Sequence, residues 1–130
     1  MNNINNNRLL PHCPLTPDTV ISTIINRQSE LSSLLDTINT RLDEAPAGTL
    51  RIANRGNRPQ YYHRLDSNDR KGSYIKKKKE LTLIKNLAQK EYDLRVKKEV
   101  ECELQALTDF LKNYSPEQIE QAYDSLNTAR

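Results

Sequence analysis

The spacing of hydrophobic residues changes along the chain, and each change marks a new element. Ile21, Ile24, Leu31, Leu35, Ile38 and Leu42, with Gln28 in the one polar place, step by 3, 4, 3, 4, 3, 4. That heptad seam predicts a long helix with a narrow apolar stripe over residues 17–45. Thr16 suits its N-cap, Pro17 its first position and Asp18 its positive end. Pro46 ends it, because the residue before a proline is pushed out of helical geometry.

From Leu50 the period shortens to two. Leu50 and Ile52 alternate with Arg51 and Ala53, and Asn54-Arg55-Gly56-Asn57 supplies turn residues. Gln60 to Leu65 is extended again, and Ser73-Tyr74-Ile75-Lys76 follows the polar loop Asp66 to Gly72. These segments predict a three-stranded antiparallel β-meander over 48–76, with Pro59 at a strand start or edge. So small a sheet needs a supporting helix. Alternation turns Leu50, Ile52, Tyr61, Leu65 and Ile75 toward that support, and Arg51, Tyr62, Arg64, Tyr74 and Lys76 away from it.

A second long helix is expected over 77–113. Its apolar positions Leu81, Ile84, Ala88, Tyr92, Val96, Val100, Leu104, Leu107, Leu111 and Tyr114 step by about 3.67 on average, near an eleven-residue repeat rather than a heptad. Ser115-Pro116-Glu117-Gln118 is a helix-start signal for a short helix over 115–128. The expected architecture is α+β, mainly α: a long antiparallel, coiled-coil-like helical hairpin, the meander at its tip and a short C-terminal helix. Residues 1–15 read as a disordered Asn-rich tail and 16–130 as a single elongated domain. No helix stop precedes Arg130, as if the chain were cut from something larger.

Composition supports thin helical packing more than a thick core. Of 130 residues 35% are hydrophobic and 28% charged, and tryptophan is absent. No apolar run is long enough for a signal peptide or a membrane span, so a cytoplasmic protein without membrane contact is expected. Cys13 and Cys102 share no metal-type spacing, and the adjacent His12 and Cys13 have no second pair of ligands. Glu99, Glu101 and Glu103 sit among Lys97 and Lys98, where solvation is the default for such carboxylates. No nucleophile–base pairing, Gly-rich phosphate loop or HExxH pattern occurs. No enzyme, no cofactor and no metal are expected.

Charge is what changes this picture. The net charge is +3 overall, yet Gly48–Lys79 holds ten of the twenty Lys and Arg against only Asp66 and Asp69. That segment also holds all three glycines, together with Tyr61, Tyr62 and Tyr74. A sheet face interleaving Arg51, Arg64 and Lys76 with Tyr62 and Tyr74, rimmed by Arg55, Arg58, Lys77, Lys78 and Lys79, suits nucleic acid. Cations neutralise phosphates and release counterions, while tyrosine rings stack on bases. Lysines at a helix start also oppose its dipole, a local cost that invites a functional reason. The competing explanations are a lysine-rich edge that blocks strand pairing and an acidic protein partner. The heptad seam leaves open a homodimer or another protein partner through the helices, making the chain a coiled-coil interaction module.

Ala45-Pro46-Ala47-Gly48-Thr49-Leu50-Arg51-Ile52, Tyr61-Tyr62-His63-Arg64, Gly72-Ser73-Tyr74-Ile75 and Leu87-Ala88-Gln89-Lys90-Glu91-Tyr92-Asp93 together resemble the N-terminal region of a family of uncharacterised bacterial proteins. Longer members carry a restriction-endonuclease-like domain after it. The resemblance spans Leu31 to Arg130 and implies no catalytic residue here. The meander also distantly resembles the three-stranded arm-type DNA-binding domains of phage and transposon integrases, whose sheet enters the major groove. Both resemblances imply a DNA or RNA partner.

Overall fold

The computed structural model describes residues 14–128, so the Asn-rich tail and the His12–Cys13 pair lie outside the described residues, apart from Pro14 and Leu15. The fold is α+β and mainly helical, in the order α1 (Pro17–Glu44), β1 (Thr49–Arg55), β2 (Arg58–Arg64), β3 (Ser73–Ile75), α2 (Leu81–Asn113) and α3 (Glu117–Thr128). Two compact units divide the chain: Glu30–Leu104, and the segments up to Ser29 and from Gln105 onward.

The unit made of the chain's two ends contains the start of α1. Thr16 Oγ1 accepts the Thr19 N–H at 3.2 Å, the side-chain cap expected there. Ile21, Ile24 and Gln28 are its half-buried seam positions, and Leu107, Leu111 and Tyr114 are those of its C-terminal segment. Gln28 Nε2 reaches Thr108 Oγ1 at 3.5 Å, which gives the polar seam position a polar partner. Phe110 stacks on Tyr114 with ring centroids 4.9 Å apart. α3 starts at Glu117 rather than residue 115, because Ser115 and Pro116 use their carbonyls to accept the Gln118 and Ile119 N–H groups.

Glu30–Leu104 carries the sheet. β1 and β2 pair antiparallel over their full length, Thr49 with Arg64 through Arg55 with Arg58, and β3 pairs with Tyr61–His63 of β2. The order is β1-β2-β3, a meander. β3 stops short of Pro59, so the proline lies where β2 has only β1 beside it, a local edge that needs no N–H. Gly56, with φ 64°, opens the Gly56-Asn57 hairpin turn, and Asn57 keeps negative φ, as in a type II′ turn.

Leu50, Ile75, Ile84 and Leu87 form the core between sheet and α2, with Tyr61 and Leu83 against it. Ile52 and Leu65 depart from the expected support-facing set: they are 54% and 61% exposed. Ile52 sits toward the turn end of β1, two residues past the covered Leu50, and Leu65 has already left β2.

α2 begins at Leu81, not Lys77. Lys76 O accepts both Lys79 N–H and Glu80 N–H, closing a turn, and Glu80 O accepts the first helical bond from Ile84. Glu80 is therefore the cap, and Lys77–Lys79 precede the helix instead of opposing its dipole from within. The stripe of α2 also differs from the expected one. Leu81, Ala88 and Tyr92 are exposed, while Ile84, Leu87, Asp93 and Val100 are buried and Lys90 is half-buried. The true stripe runs through two charged residues, each satisfied. Arg41 donates Nε to Asp93 Oδ2 and Nη2 to Asp93 Oδ1, and Gln89 donates to Oδ1 at 2.9 Å. Lys90 Nζ donates to Pro46 O at 3.0 Å and Gly48 O at 2.8 Å, fastening the α1–β1 link to α2.

Candidate nucleic-acid interface

Strand register decides which side chains share the open face of the sheet. Partners directly opposite one another point the same way, and neighbours in sequence point opposite ways. From the pairs Thr49–Arg64, Arg51–Tyr62, Ala53–Gln60, Arg55–Arg58 and Tyr62–Tyr74, one face carries Arg51, Arg55, Arg58, Arg64, Tyr62 and Tyr74. The other carries Leu50, Tyr61 and Ile75, the three residues packed against α2. The basic and aromatic residues therefore lie on the side away from the core.

At the centre of that face the contacts are built. The Arg51 guanidinium lies over the Tyr62 ring, 4.1 Å from its centroid, and its Nε donates to Lys71 O at 2.9 Å. Tyr62 meets Tyr74 edge-on, with centroids 5.7 Å apart and planes at 67°. Tyr62 Oη donates to Gln60 Oε1 at 3.1 Å. Each aromatic or cation–π contact contributes about 0.5–1 kcal/mol, enough to fix orientation though not to hold a fold. Arg51 is held flat, with its two Nη groups unpartnered among the described residues. Tyr74 is 56% exposed, so a ring face is open to stacking.

Toward the hairpin turn the face is purely cationic. Arg55 and Arg58 are both exposed and sit directly opposite one another, a like-charge pair that disfavours the sheet. Neither has an acidic partner among the described residues. At the far end, Arg64 is half-buried, and its Nε is enclosed without an acceptor. Backbone close approach sets that end: Gly48 has φ 90°, and a Cβ there would collide with Arg64 O and His63 Nε2. His63 Nε2–H donates to Ala47 O at 2.7 Å, since a carbonyl can only accept. Asp69 Oδ1 takes the Gly72 N–H at 2.9 Å and Asp66 Oδ1 the Asn68 N–H at 2.8 Å, so both acids of the segment are engaged with loop backbone.

The structure thus brings together six of the ten residues expected on this surface. Arg51, Tyr62 and Tyr74 touch one another in sequence, and Arg55, Arg58 and Arg64 share their face by register. Lys76, Lys77, Lys78 and Lys79 lie beyond the three-residue β3, exposed in the turn before α2 and on no strand face. Gln60, which anchors the Tyr62 hydroxyl, was absent from the expected set. Its period-two spacing from Tyr62 was the available signal.

Among the described residues no group of three or more His, Cys, Asp or Glu could hold a metal ion, and no helix is long and apolar enough to cross a membrane. No family model, curated protein or solved structure matches the chain.

Proposed function

We propose that the chain is a non-catalytic nucleic-acid-binding accessory module that uses the open face of its sheet. One observation carries this: Arg51, Arg55, Arg58 and Arg64 lie on the same face as Tyr62 and Tyr74, none of them ion-paired with an acid among the described residues. Four unneutralised guanidinium groups with an exposed ring among them favour phosphates and bases over an uncharged ligand. A solubility role for basic residues calls for charge along a strand edge. Arg51 and Arg55 stand on the edge strand β1, but Arg64 lies on the central strand and Arg51 is oriented by a ring and a carbonyl.

Tyr74 gives the reading its strand preference. A ring open for stacking is useful only if bases are unpaired, so a single strand is favoured over a duplex. Within Glu30–Leu104, α1 and α2 act as the arms of an antiparallel helical hairpin, closed by Arg41–Asp93, that supports the sheet. The resemblance to arm-type integrase domains points to the same class of partner.

Fluorescence anisotropy with a labelled single-stranded oligonucleotide, competed by unlabelled single strand or duplex, tests this. Tyr74→Ala should weaken single-strand binding by about 1–3 kcal/mol and leave any duplex binding nearly unchanged. Equal loss on both ligands would contradict stacking. No binding of wild-type protein to either would contradict the function.

A further inference from the structure

The outer side of α2 carries a cation and an anion, both unpaired among the described residues, on either side of an exposed tyrosine. Counted from Tyr92, Lys85, Ala88, Val96 and Glu99 stand at −7, −4, +4 and +7. At 3.6 residues per turn these five fall within about 40° of one line along the helix, and the stripe buried within Glu30–Leu104 is centred on the other side, with Ile84 and Val100 at its margins. Tyr92 is 60% exposed. Lys85, Ala88 and Glu99 are exposed as well, and Val96 is half-buried.

We propose that this face is a homodimer interface, with two copies of α2 crossing antiparallel about a two-fold axis at Tyr92. An antiparallel pairing of that register sets Lys85 against Glu99 of the second copy, and Ala88 against its Val96, each contact made twice. Tyr92 meets its own copy on the axis. A two-fold interface requires such self-complementarity. The opposed charges choose the occupant: a run with Lys at one end and Glu at the other, symmetric in spacing, fits its own reverse. Parallel pairing would instead put Lys85 on Lys85 and Glu99 on Glu99.

The charges are free to do this. Neither Lys85 nor Glu99 has a partner in its own chain among the described residues. The flanking Arg95 and Glu91 are already paired with each other at 2.7 Å. Ala88 leaves room beside Tyr92, so the ring of one copy has a small residue on which to lie. This surface is distinct from the heptad seam of α1, whose Leu31 and Ile38 are buried within the chain. The contact covers about 21 Å of helix, short of the area typical of stable interfaces. The dimer is therefore weak and concentration-dependent.

Sedimentation velocity over a wide protein range at low salt, with circular dichroism to verify folding, tests the proposal. Wild type should pass from monomer to dimer. Tyr92→Lys should abolish the transition, and Lys85→Glu should weaken it about tenfold or more. The double swap Lys85→Glu/Glu99→Lys should restore it. In a Cys13→Ser/Cys102→Ser background, Tyr92→Cys should form a disulfide dimer under mild oxidation, because the axis brings the residue onto its own copy. A protein that stays monomeric throughout overturns the proposal. So does a dimer that Tyr92→Lys leaves intact, a folded double swap that fails to regain dimerisation, or a Tyr92→Cys variant that does not cross-link.

Discussion

Arg41 and Asp93, 52 residues apart in sequence, are joined by a two-pronged hydrogen bond, Nε to Oδ2 at 3.0 Å and Nη2 to Oδ1 at 2.9 Å. Asp93 is 1% exposed and the Arg41 side chain 45% exposed. A carboxylate so enclosed persists only with donors on it, whereas the guanidinium keeps contact with water. The asymmetry makes a prediction. Arg41→Leu strands the carboxylate with Gln89 as its one donor and should lower the urea midpoint strongly. Asp93→Leu removes the buried charge itself and should be the milder change. The reverse order would mean that the pair is not what holds α1 to α2 within Glu30–Leu104.

The same pair sets an acid limit on stability. Hydrogen bonding from Arg41 holds the Asp93 carboxyl below its ordinary value of 3.8, against burial, which pushes it up. The unfolded chain then binds a proton that the folded chain refuses, so stability falls as pH drops through the ordinary value and toward the lowered one. Thermal melts between neutral pH and pH 3 should show Tm falling below about pH 4–5, and Asp93→Asn should flatten that fall. An unchanged slope in Asp93→Asn would assign the acid sensitivity to other carboxylates.

The glycines separate into two kinds of constraint. At Gly48 positive φ coincides with Arg64 O and His63 Nε2 where a Cβ would go, but at Gly56 nothing lies within 4 Å. Gly48→Ala should therefore cost about 3 kcal/mol and Gly56→Ala about 1 kcal/mol, the backbone strain alone. Chemical denaturation of both variants checks this, and equal losses would contradict the close approach.

Lys90 fastens backbone rather than binding a ligand. With two carbonyls on its Nζ, Lys90→Met should cost about 1–3 kcal/mol by leaving the Pro46 and Gly48 carbonyls half-buried and unpaired, while nucleic-acid affinity corrected for folded fraction stays the same. Faster hydrogen exchange in β1 should accompany it. A loss of affinity in fully folded Lys90→Met would extend the binding surface to this side of the sheet.

How far the sequence reached depended on whether an element keeps its apolar and polar residues apart. All seven seam positions of α1, Ile21 to Leu42, are buried or half-buried, and hydrophobic spacing alone located them. The sheet was legible because Leu50, Tyr61 and Ile75 alternate with Arg51, Tyr62 and Tyr74 and because glycines marked its turns. α2 was misread where its inward stripe runs through Lys90 and Asp93. Apolar spacing alone points to Ala88 and Tyr92, which are exposed. The pairing that permits Asp93 to be buried comes from Arg41, far away in sequence, and no local pattern carries it. Likewise the basic residues after β3 looked like part of a strand and helix, but Lys76 closes a turn whose cap is Glu80. Of the candidate surface, Arg51, Tyr62, Arg64 and Tyr74 were recoverable from period two; Arg55 and Arg58 read as the rim of a turn but end β1 and begin β2, and the lysine run lies on no strand.

The salt dependence of single-strand binding tests the central claim most directly. If Arg55 and Arg58 each neutralise a phosphate, the slope of log affinity against log salt should shrink by about 1.4 in Arg55→Ala/Arg58→Ala relative to wild type, at about 0.7 per single-strand contact. Arg51→Ala/Arg64→Ala should reduce it by a similar amount, and circular dichroism should show both variants folded. Wild-type binding with no salt dependence, or slopes unaltered in both double variants, would contradict the assignment of the open face of the sheet as a nucleic-acid surface.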